Sequence, residues 1–385
     1  MPKTFVLAPD SFKESMTAEQ ACQAMQRGIQ NVYPDAVCIS VPIADGGEGT
    51  LDALITALYG QKIACEVSGP FASQKIQTYF GLVDGRKTAI IEMAKANGIH
   101  LLEPAQRNPL FTSTLGTGEM IKAALDLGVA KIIIGLGGSV TNDGGSGMAQ
   151  ALGVKFLDAQ GQAVALGGGQ LDQIQSINLS GLDARLAQTE IVIASDVNNP
   201  LCGANGASAV FGSQKGATAE MVKILDRNLA HFAYVIESAL NISKQNIAGA
   251  GAAGGLGFGL MVFAGAKIRS GVELVIEQTK LTEKIAQADY VLTGEGKIDF
   301  QTKFGKTPFG VAQVAKRLNK PVIAFAGLVG DGIDELYDLG FSQIIGINPP
   351  EISMEHAIAH ASMYLEEAVE QYVRNYNFNE LILNS

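Results

Sequence analysis

TFVLAPDSFKESMTAEQACQAMQRGIQNVYPDAVCISVP (4–42) reads as strand, loop, helix and strand in succession. TFVLA (4–8) is a short apolar strand. Thr17 and Gln20 have capping-box spacing, and Ala21, Met25, Ile29 and Val32 then recur at helical spacing until Pro34 stops the run. AVCISVP (36–42) is the next strand, and Leu51, Leu54, Ile55 and Leu58 mark a second helix. Two apolar strands joined through an amphipathic helix predict a parallel sheet, since such a pair needs a crossover connection.

The C-terminal third repeats this grammar. DYVLTG (289–294), PVIAFAG (321–327) and SQIIGIN (342–348) alternate with helices near 307–318, 331–339 and 353–375. Half a sheet at each end predicts one discontinuous α/β domain, residues 1–62 with 286–385. The middle, 63–285, has another texture. FGLVDGRKTAIIEM (80–93) reads as a hairpin turning at Asp84-Gly85, and VKFLDAQGQAV (154–164) as a second. AKIIIGLG (130–137), EIVIASD (190–196) and a long helix near 218–240 complete an inserted mixed α/β domain. A cleft between two such domains is a natural substrate site.

Composition narrows the function. The chain has 385 residues, 47% hydrophobic and 17% charged, enough apolar matter for a large core. A net charge of −10, 6% aromatics and no tryptophan argue against nucleic acid and anionic membrane as partners. No signal-peptide pattern or membrane span is read, and Cys22, Cys38, Cys65 and Cys202 lack paired spacing, so a cytoplasmic protein with free thiols is expected. Oligomeric state has no signature here.

Glycine, at 45 residues, is well above the usual share of roughly 7%. It gathers in APDSFKES (8–15), ADGGEGT (44–50), GLGGSVTNDGGSG (135–147), SDVNNPLCGANG (195–206) and LTGEGKIDFQTKFGKT (292–307). Gly46, Gly47, Gly137, Gly138, Gly294 and Gly296 would let backbone N–H groups approach an anion. Asp10, Asp45, Asp196, Glu295 and Asp299 stand at or just after strand ends, where open parallel sheets bind ligands. Converging carboxylates repel one another unless a cation sits among them, and Mg²⁺ with phosphate oxygens suits such a set. Lys13, Lys297, Lys303 and Lys306 supply counter-charge. Ser139, Thr141, Asn142 and Asp143 lie among bare amides and suit a small hydroxylated acid or a phosphate, with a purely structural turn the equal alternative; Ser11 precedes Lys13 in the first loop, and Asn198 and Asn199 accompany Asp196.

Three tempting motifs read better as structure. GAGAAG (249–254) lacks a preceding strand and fits close helix packing. GKT (305–307) resembles the end of a Walker loop, but Phe300 stands where that loop needs glycine. Cys202 has no histidine near it in sequence and reads as a structural thiol.

The segments APDSFKES, PIADGGEGT, GLGGSVTNDGG, ASDVNNPL and LTGEGKID, in register and in this order, resemble the bacterial glycerate kinase family from residue 4 to about 350. That resemblance implies ATP- and Mg²⁺-dependent phosphorylation of D-glycerate with 2-phosphoglycerate as product. It also implies a flavodoxin-like domain built from both termini with a second α/β domain inserted. On this footing Asp45 or Asp196 is expected to deprotonate the glycerate hydroxyl, and Lys13 to pair with the substrate carboxylate or the moving phosphoryl group. Asp10, Ser11, Ser139, Asn142 and Asn198 are expected at the substrate. Gly46, Gly47, Gly137, Gly138, Gly294, Gly296 and Lys297 are expected at the nucleotide, and Glu295 and Asp299 at the metal. Phosphorylation of the 3-hydroxyl, another small hydroxy acid as acceptor, or a non-catalytic anion sensor stay open on sequence.

Overall fold

The computed structural model describes residues 2–43 and 49–375, so Asp45, Gly46 and Gly47 lie outside the described residues. Within it the chain divides into two compact units, residues 1–45, 52–59 and 272–385 in one and 46–51 and 60–271 in the other. The contact division thus places the helices Gly271–Gln278 and Leu281–Ala286 almost wholly with the first unit, upstream of the 285/286 boundary drawn from strand texture.

The first unit is built on a five-stranded sheet in the order Gln343–Gly346, Val322–Val329, Tyr290–Ile298, Thr4–Leu7, Val37–Ser40, every neighbouring pair parallel. The chain runs outward from Thr4–Leu7 in one direction and from Tyr290–Ile298 in the other. The order therefore reverses between these two strands, and a crevice opens beyond their carboxyl ends. Asp10 N–H donates to the Gly294 carbonyl at 2.8 Å, tying the loop after the first strand to the central one.

Helix Ala18–Gln30 begins at the capping box predicted from Thr17 and Gln20, worth about 1 kcal/mol. Its packing partner is the long helix Met354–Asn375, which the sequence left without a face. Gly28 permits that approach, since a Cβ there would stand 2.5 Å from the Glu366 carbonyl oxygen. Arg27 then pairs with Glu366 at 2.6 Å, and Asn31 donates to Glu370 at 2.8 Å. Phe5, Leu7, Met25, Leu292, Phe325 and Leu365 fill the core between sheet and helices. Each such side chain contributes about 1.5–3 kcal/mol by leaving water.

The second unit carries a mixed six-stranded sheet in the order Lys267–Arg269, Glu190–Ala194, Lys131–Gly135, Thr88–Glu92, Lys75–Val83, Gln61–Ser68. The first four strands are parallel and the last two antiparallel. The hairpin turns where the sequence predicts: Asp84 and Gly85 both adopt positive φ, +52° and +60°, and Arg86 N–H closes onto Val83 at 3.1 Å. The second hairpin is reduced. Leu157 bridges Ala163, but the ladder partner of Lys155–Leu157 is Ser176–Asn178.

GAGAAG packs, as its small residues imply. Gly254 (φ +67°) and Gly255 (φ +90°) lie against the 141–144 backbone, and a Cβ on Gly254 would collide with the Thr141 carbonyl. Among the described residues no helix is long and apolar enough to cross a membrane.

Candidate active site

In the first unit, the two strand ends at the reversal point bring one polar cluster together. Asp10, just past Thr4–Leu7, accepts from its neighbour Ser11 N–H at 2.6 Å and from the Thr307 hydroxyl at 2.5 Å. Glu295, near the end of the central strand, accepts from the Thr302 hydroxyl at 3.2 Å and lies 3.3 Å from Lys306 Nζ. Glu295 is only 9% exposed. Burial pushes its carboxyl up to about 7; Lys306 opposes this, while the Asp10 charge adds to it. A group poised there exchanges protons or binds cations at neutral pH.

Lys306 also donates to the Lys297 carbonyl at 3.1 Å, and Lys297 Nζ pairs with Asp299 at 2.9 Å. That pairing holds the Asp299 carboxyl below its ordinary value, and the same carboxylate caps the following turn by accepting from Gln301 N–H at 2.9 Å. Asp299 is therefore committed to Lys297 and to the backbone, whereas Glu295 lies near enough to Asp10 for the two charges to repel. Gly294 is buried, with Phe12 3.2 Å from where its Cβ would stand, and Gly296 is half-buried. Lys13 is exposed beside them.

The second unit holds the remaining predicted residues in two settings. Asp196 and Asn198 follow strand Glu190–Ala194 and are exposed, and Gly137 and Gly138 are half-buried and exposed. From Ser139 onward the 135–147 loop turns inward. Thr141, Asn142 and Asp143 are fully buried. Asp143 accepts from Thr114 N–H at 2.8 Å, from the Thr114 hydroxyl and from the Gly145 and Gly147 amides, so it knits this loop to the Leu115–Asp126 helix. Asn142 donates to the Ser208 hydroxyl at 2.9 Å, while its Oδ1 and the Thr141 hydroxyl are buried without a hydrogen-bond partner among the described residues.

Beneath this loop lies a residue the sequence reading passed over. Lys215 is 1% exposed; its ammonium donates to the Ser139 hydroxyl at 2.9 Å and the Thr141 carbonyl at 2.7 Å. Burial lowers its pKa to about 7, with the Asp143 charge opposing. The signal was present in FGSQKGAT (211–218), a lysine bounded by glycines, but a lysine on sequence alone reads as solvated. Cys202 is a free thiol that burial pushes up to about 12, which removes it as a nucleophile. Among the described residues no group of three or more His, Cys, Asp or Glu could hold a metal by itself. Any cation at Glu295 and Asp10 would need further oxygens from a ligand.

A parallel α/β sheet carrying a carboxylate pair, hydroxyls and lysines at its reversal point is the equipment of a phosphotransferase. Comparison with known proteins narrows the class. The model of the glycerate kinase family matches residues 5–377. A glycerate kinase of Haemophilus influenzae is 51% identical over 343 residues, covering 89% of this chain and 90% of that one. The glycerate 2-kinase of Escherichia coli is 48% identical over 342 residues, again covering 89% and 90%. The crystal structure of a protein assigned as glycerate kinase 2 from Salmonella typhimurium LT2 superposes with a TM-score of 0.88 at 45% identity, over 97% of this chain and 98% of that one. The chain belongs to the glycerate kinase family.

Proposed function

We propose that this enzyme transfers the γ-phosphoryl group of ATP to the 2-hydroxyl of D-glycerate, giving 2-phosphoglycerate, with Mg²⁺ as the metal. The observation that carries the nucleotide and metal half is the Glu295–Asp10 pair, two carboxylates brought together at a strand-order reversal with Thr302, Thr307 and Lys306 around them. These are oxygen donors of the kind a hard divalent cation takes, one or two carboxylates with phosphate oxygens completing the shell. Glu295 keeps the metal role expected of it. Asp10 replaces Asp299 as the second ligand, because Asp299 is held by Lys297. When bound, Mg²⁺ neutralises charge on the β- and γ-phosphate oxygens.

The chain's own groups do the rest. Lys306 and Lys13 supply positive charge to the moving phosphoryl group, and the Gly294–Gly296 backbone permits close approach. On the second unit, Asp196 and Asn198 are exposed at a strand end and suited to the glycerate hydroxyls, with Asp196 or Asp45 taking the proton. Ser139 and Asn142 sit at the inner end of their loop, where Lys215 fixes Ser139. Gly137 and Gly138 present the only part of that loop open to a ligand. The domain organisation we infer, 1–62 with 286–385 around an inserted 63–285, is supported by the first unit's strand order. Numbered within that unit it is 2-1-3-4-5, the flavodoxin-like order. The cytoplasmic location we infer is supported by the free thiols and by the metabolites proposed as substrates.

The test is a coupled assay of ADP release with D-glycerate, with and without Mg²⁺, followed by phosphorus NMR of the product. Absence of glycerate-dependent turnover would refute the kinase assignment. A 3-phosphoglycerate resonance would overturn the regiochemistry and nothing else.

A further inference from the structure

In the second unit, the loop that follows strand Lys131–Gly135 sets two kinds of donor side by side. Gly138 is exposed with a left-handed φ of +71°, and the N–H groups of Gly137 and Gly138 meet no acceptor among the described residues. Ser139 follows at the edge of this open stretch, still 8% exposed, with the buried Lys215 ammonium 2.9 Å from its hydroxyl oxygen. An ammonium has three donors and no acceptor, so Ser139 Oγ accepts from Lys215 and cannot return its own proton. That proton finds no acceptor among the described residues. Ser139 is thus held as a donor turned away from Lys215, and the charge behind it strengthens its O–H.

Lys215 keeps that charge for the loop. Its two acceptors, Ser139 and the Thr141 carbonyl, are neutral, and Asp143 acts on it only through space. Asp143 commits its own oxygens to Thr114 and to the Gly145 and Gly147 amides. An anion bound in front of Ser139 would favour the charged lysine further.

The neighbouring loop limits which anion fits. Gly135 stands opposite Ala194 in a parallel pair, so the loops after these two strands leave side by side, and the second carries the exposed Asp196. Two amides and one hydroxyl, backed by a single buried charge, match a monoanion. The several charges of a polyphosphate exceed what one lysine balances, and Asp196 repels them more strongly than it repels one carboxylate.

We propose that Gly137, Gly138 and Ser139 seat the carboxylate of the substrate acid, and that Lys215 is the positioning residue behind it, holding Ser139 as a donor. The hydroxyls of the acid are then left to Asp196 and Asn198, and Lys13 to the phosphoryl group. The pair Lys215–Ser139 would separate a hydroxy acid from a neutral molecule of the same shape. The inference rests on the kinase reading for the identity of the acid, and on the Lys215–Ser139 geometry for the place of its carboxylate.

The experiment uses the full-length enzyme at about pH 6, below the Lys215 value of about 7, so that the lysine is charged. D-glycerate and its neutral amide, D-glyceramide, are titrated calorimetrically, with steady-state kinetics alongside. The wild type is expected to bind glycerate at least about tenfold tighter than the amide, because hydrogen bonds to a charged group are the stronger kind. Lys215→Met and Ser139→Ala are each expected to bring that ratio to within about twofold with KM for ATP unchanged, and the double variant to lose little more than either alone. A merely structural lysine would weaken both ligands together and leave their ratio intact. Ser139→Ala, which removes one oxygen, carries the test by itself if Lys215→Met does not fold. If the ratio survives the substitutions while glycerate is still phosphorylated, the seat is overturned and the kinase reading stands. A rise in KM for ATP with the ratio intact would mean that the loop holds phosphate, and the proposal fails. If the ratio depends on Lys215 and Ser139 in a protein that never phosphorylates glycerate, the function fails and the seat survives.

Discussion

Lys215→Met tests whether the 139–142 loop rests on a buried, weakly basic lysine. Met preserves length and apolar volume and deletes the ammonium. In the folded protein the Lys215 pKa is about 7, against 10.5 for the free side chain. The unfolded chain therefore binds more protons between those values, and stability rises with pH across the window. The penalty is fully present below about pH 7 and gone above about pH 10.5; at 1.36 kcal/mol per unit it amounts to about 5 kcal/mol. Against its removal stands the Thr141 carbonyl, which loses the donor now 2.7 Å away at a cost of about 1–3 kcal/mol at every pH.

The variant should therefore be the more stable protein near neutrality. The wild type should gain on it by about 3 kcal/mol between about pH 7 and about pH 9.5. Urea unfolding followed by far-ultraviolet circular dichroism reads this, the chain having no tryptophan to report by fluorescence. Taking the difference between the two proteins cancels every other titrating group. Parallel stability–pH curves would refute the argument, because they would mean that Lys215 keeps its ordinary basicity in the folded state.

Glu295→Gln carries the opposite sign. Its folded pKa of about 7 lies above the 4.5 of the free carboxyl, so the stability it confers is complete below about pH 4.5 and lost as pH rises through about 7. The Gln variant should outlast the wild type in thermal melts at about pH 8, by about 3 kcal/mol, while losing glycerate-dependent turnover; equal melts would show that Glu295 is solvated. Lys13→Met should lower kcat/KM by at least about tenfold with an unchanged melting temperature, and unchanged kinetics would remove Lys13 from the site. Asp196→Asn should lower kcat by about 10²–10⁴-fold if Asp196 is the base, with a near-normal kcat reassigning that role to Asp45.

Much of the fold was legible because its signals are local. The capping box at Thr17 and the Asp84-Gly85 turn each involve neighbours in sequence and stand where the pattern puts them, while the first helix ends at Gln30, short of the stop read at Pro34. The site was legible only as a set of strand ends. Asp10 could be marked as a loop carboxylate, but its partner Thr307 is 297 residues away, and nothing in either segment names the other. Asp143 read either as a ligand group beside bare amides or as part of a structural turn. It is an internal brace, because its donor Thr114, 29 residues upstream, stands at the N-terminus of the helix Leu115–Asp126. Lys215 was invisible for a physical reason: what distinguishes it is burial, and burial belongs to the tertiary fold.

The glycine excess had two physical causes that sequence cannot separate, and the structure assigns them position by position. Where a glycine meets backbone, substitution strikes the fold. Gly254→Ala combines a left-handed backbone with a Cβ driven onto the Thr141 carbonyl, and a Cβ on Gly145 would stand 3.0 Å from the Gly259 Cα in the same seam. The expected loss for Gly254→Ala is about 3 kcal/mol, read as a fall in melting temperature. Where a glycine borders the proposed site, substitution strikes the ligand. A Cβ on Gly296 would reach only ordinary contact, 3.4 Å from the Lys13 nitrogen, so Gly296→Ala should melt like the wild type while its methyl group stands where the nucleotide is proposed to pass. A variant that folds normally and binds ATP normally would return Gly296 to the ranks of packing glycines. A loss of ATP affinity without loss of stability would separate the two roles within a single chain.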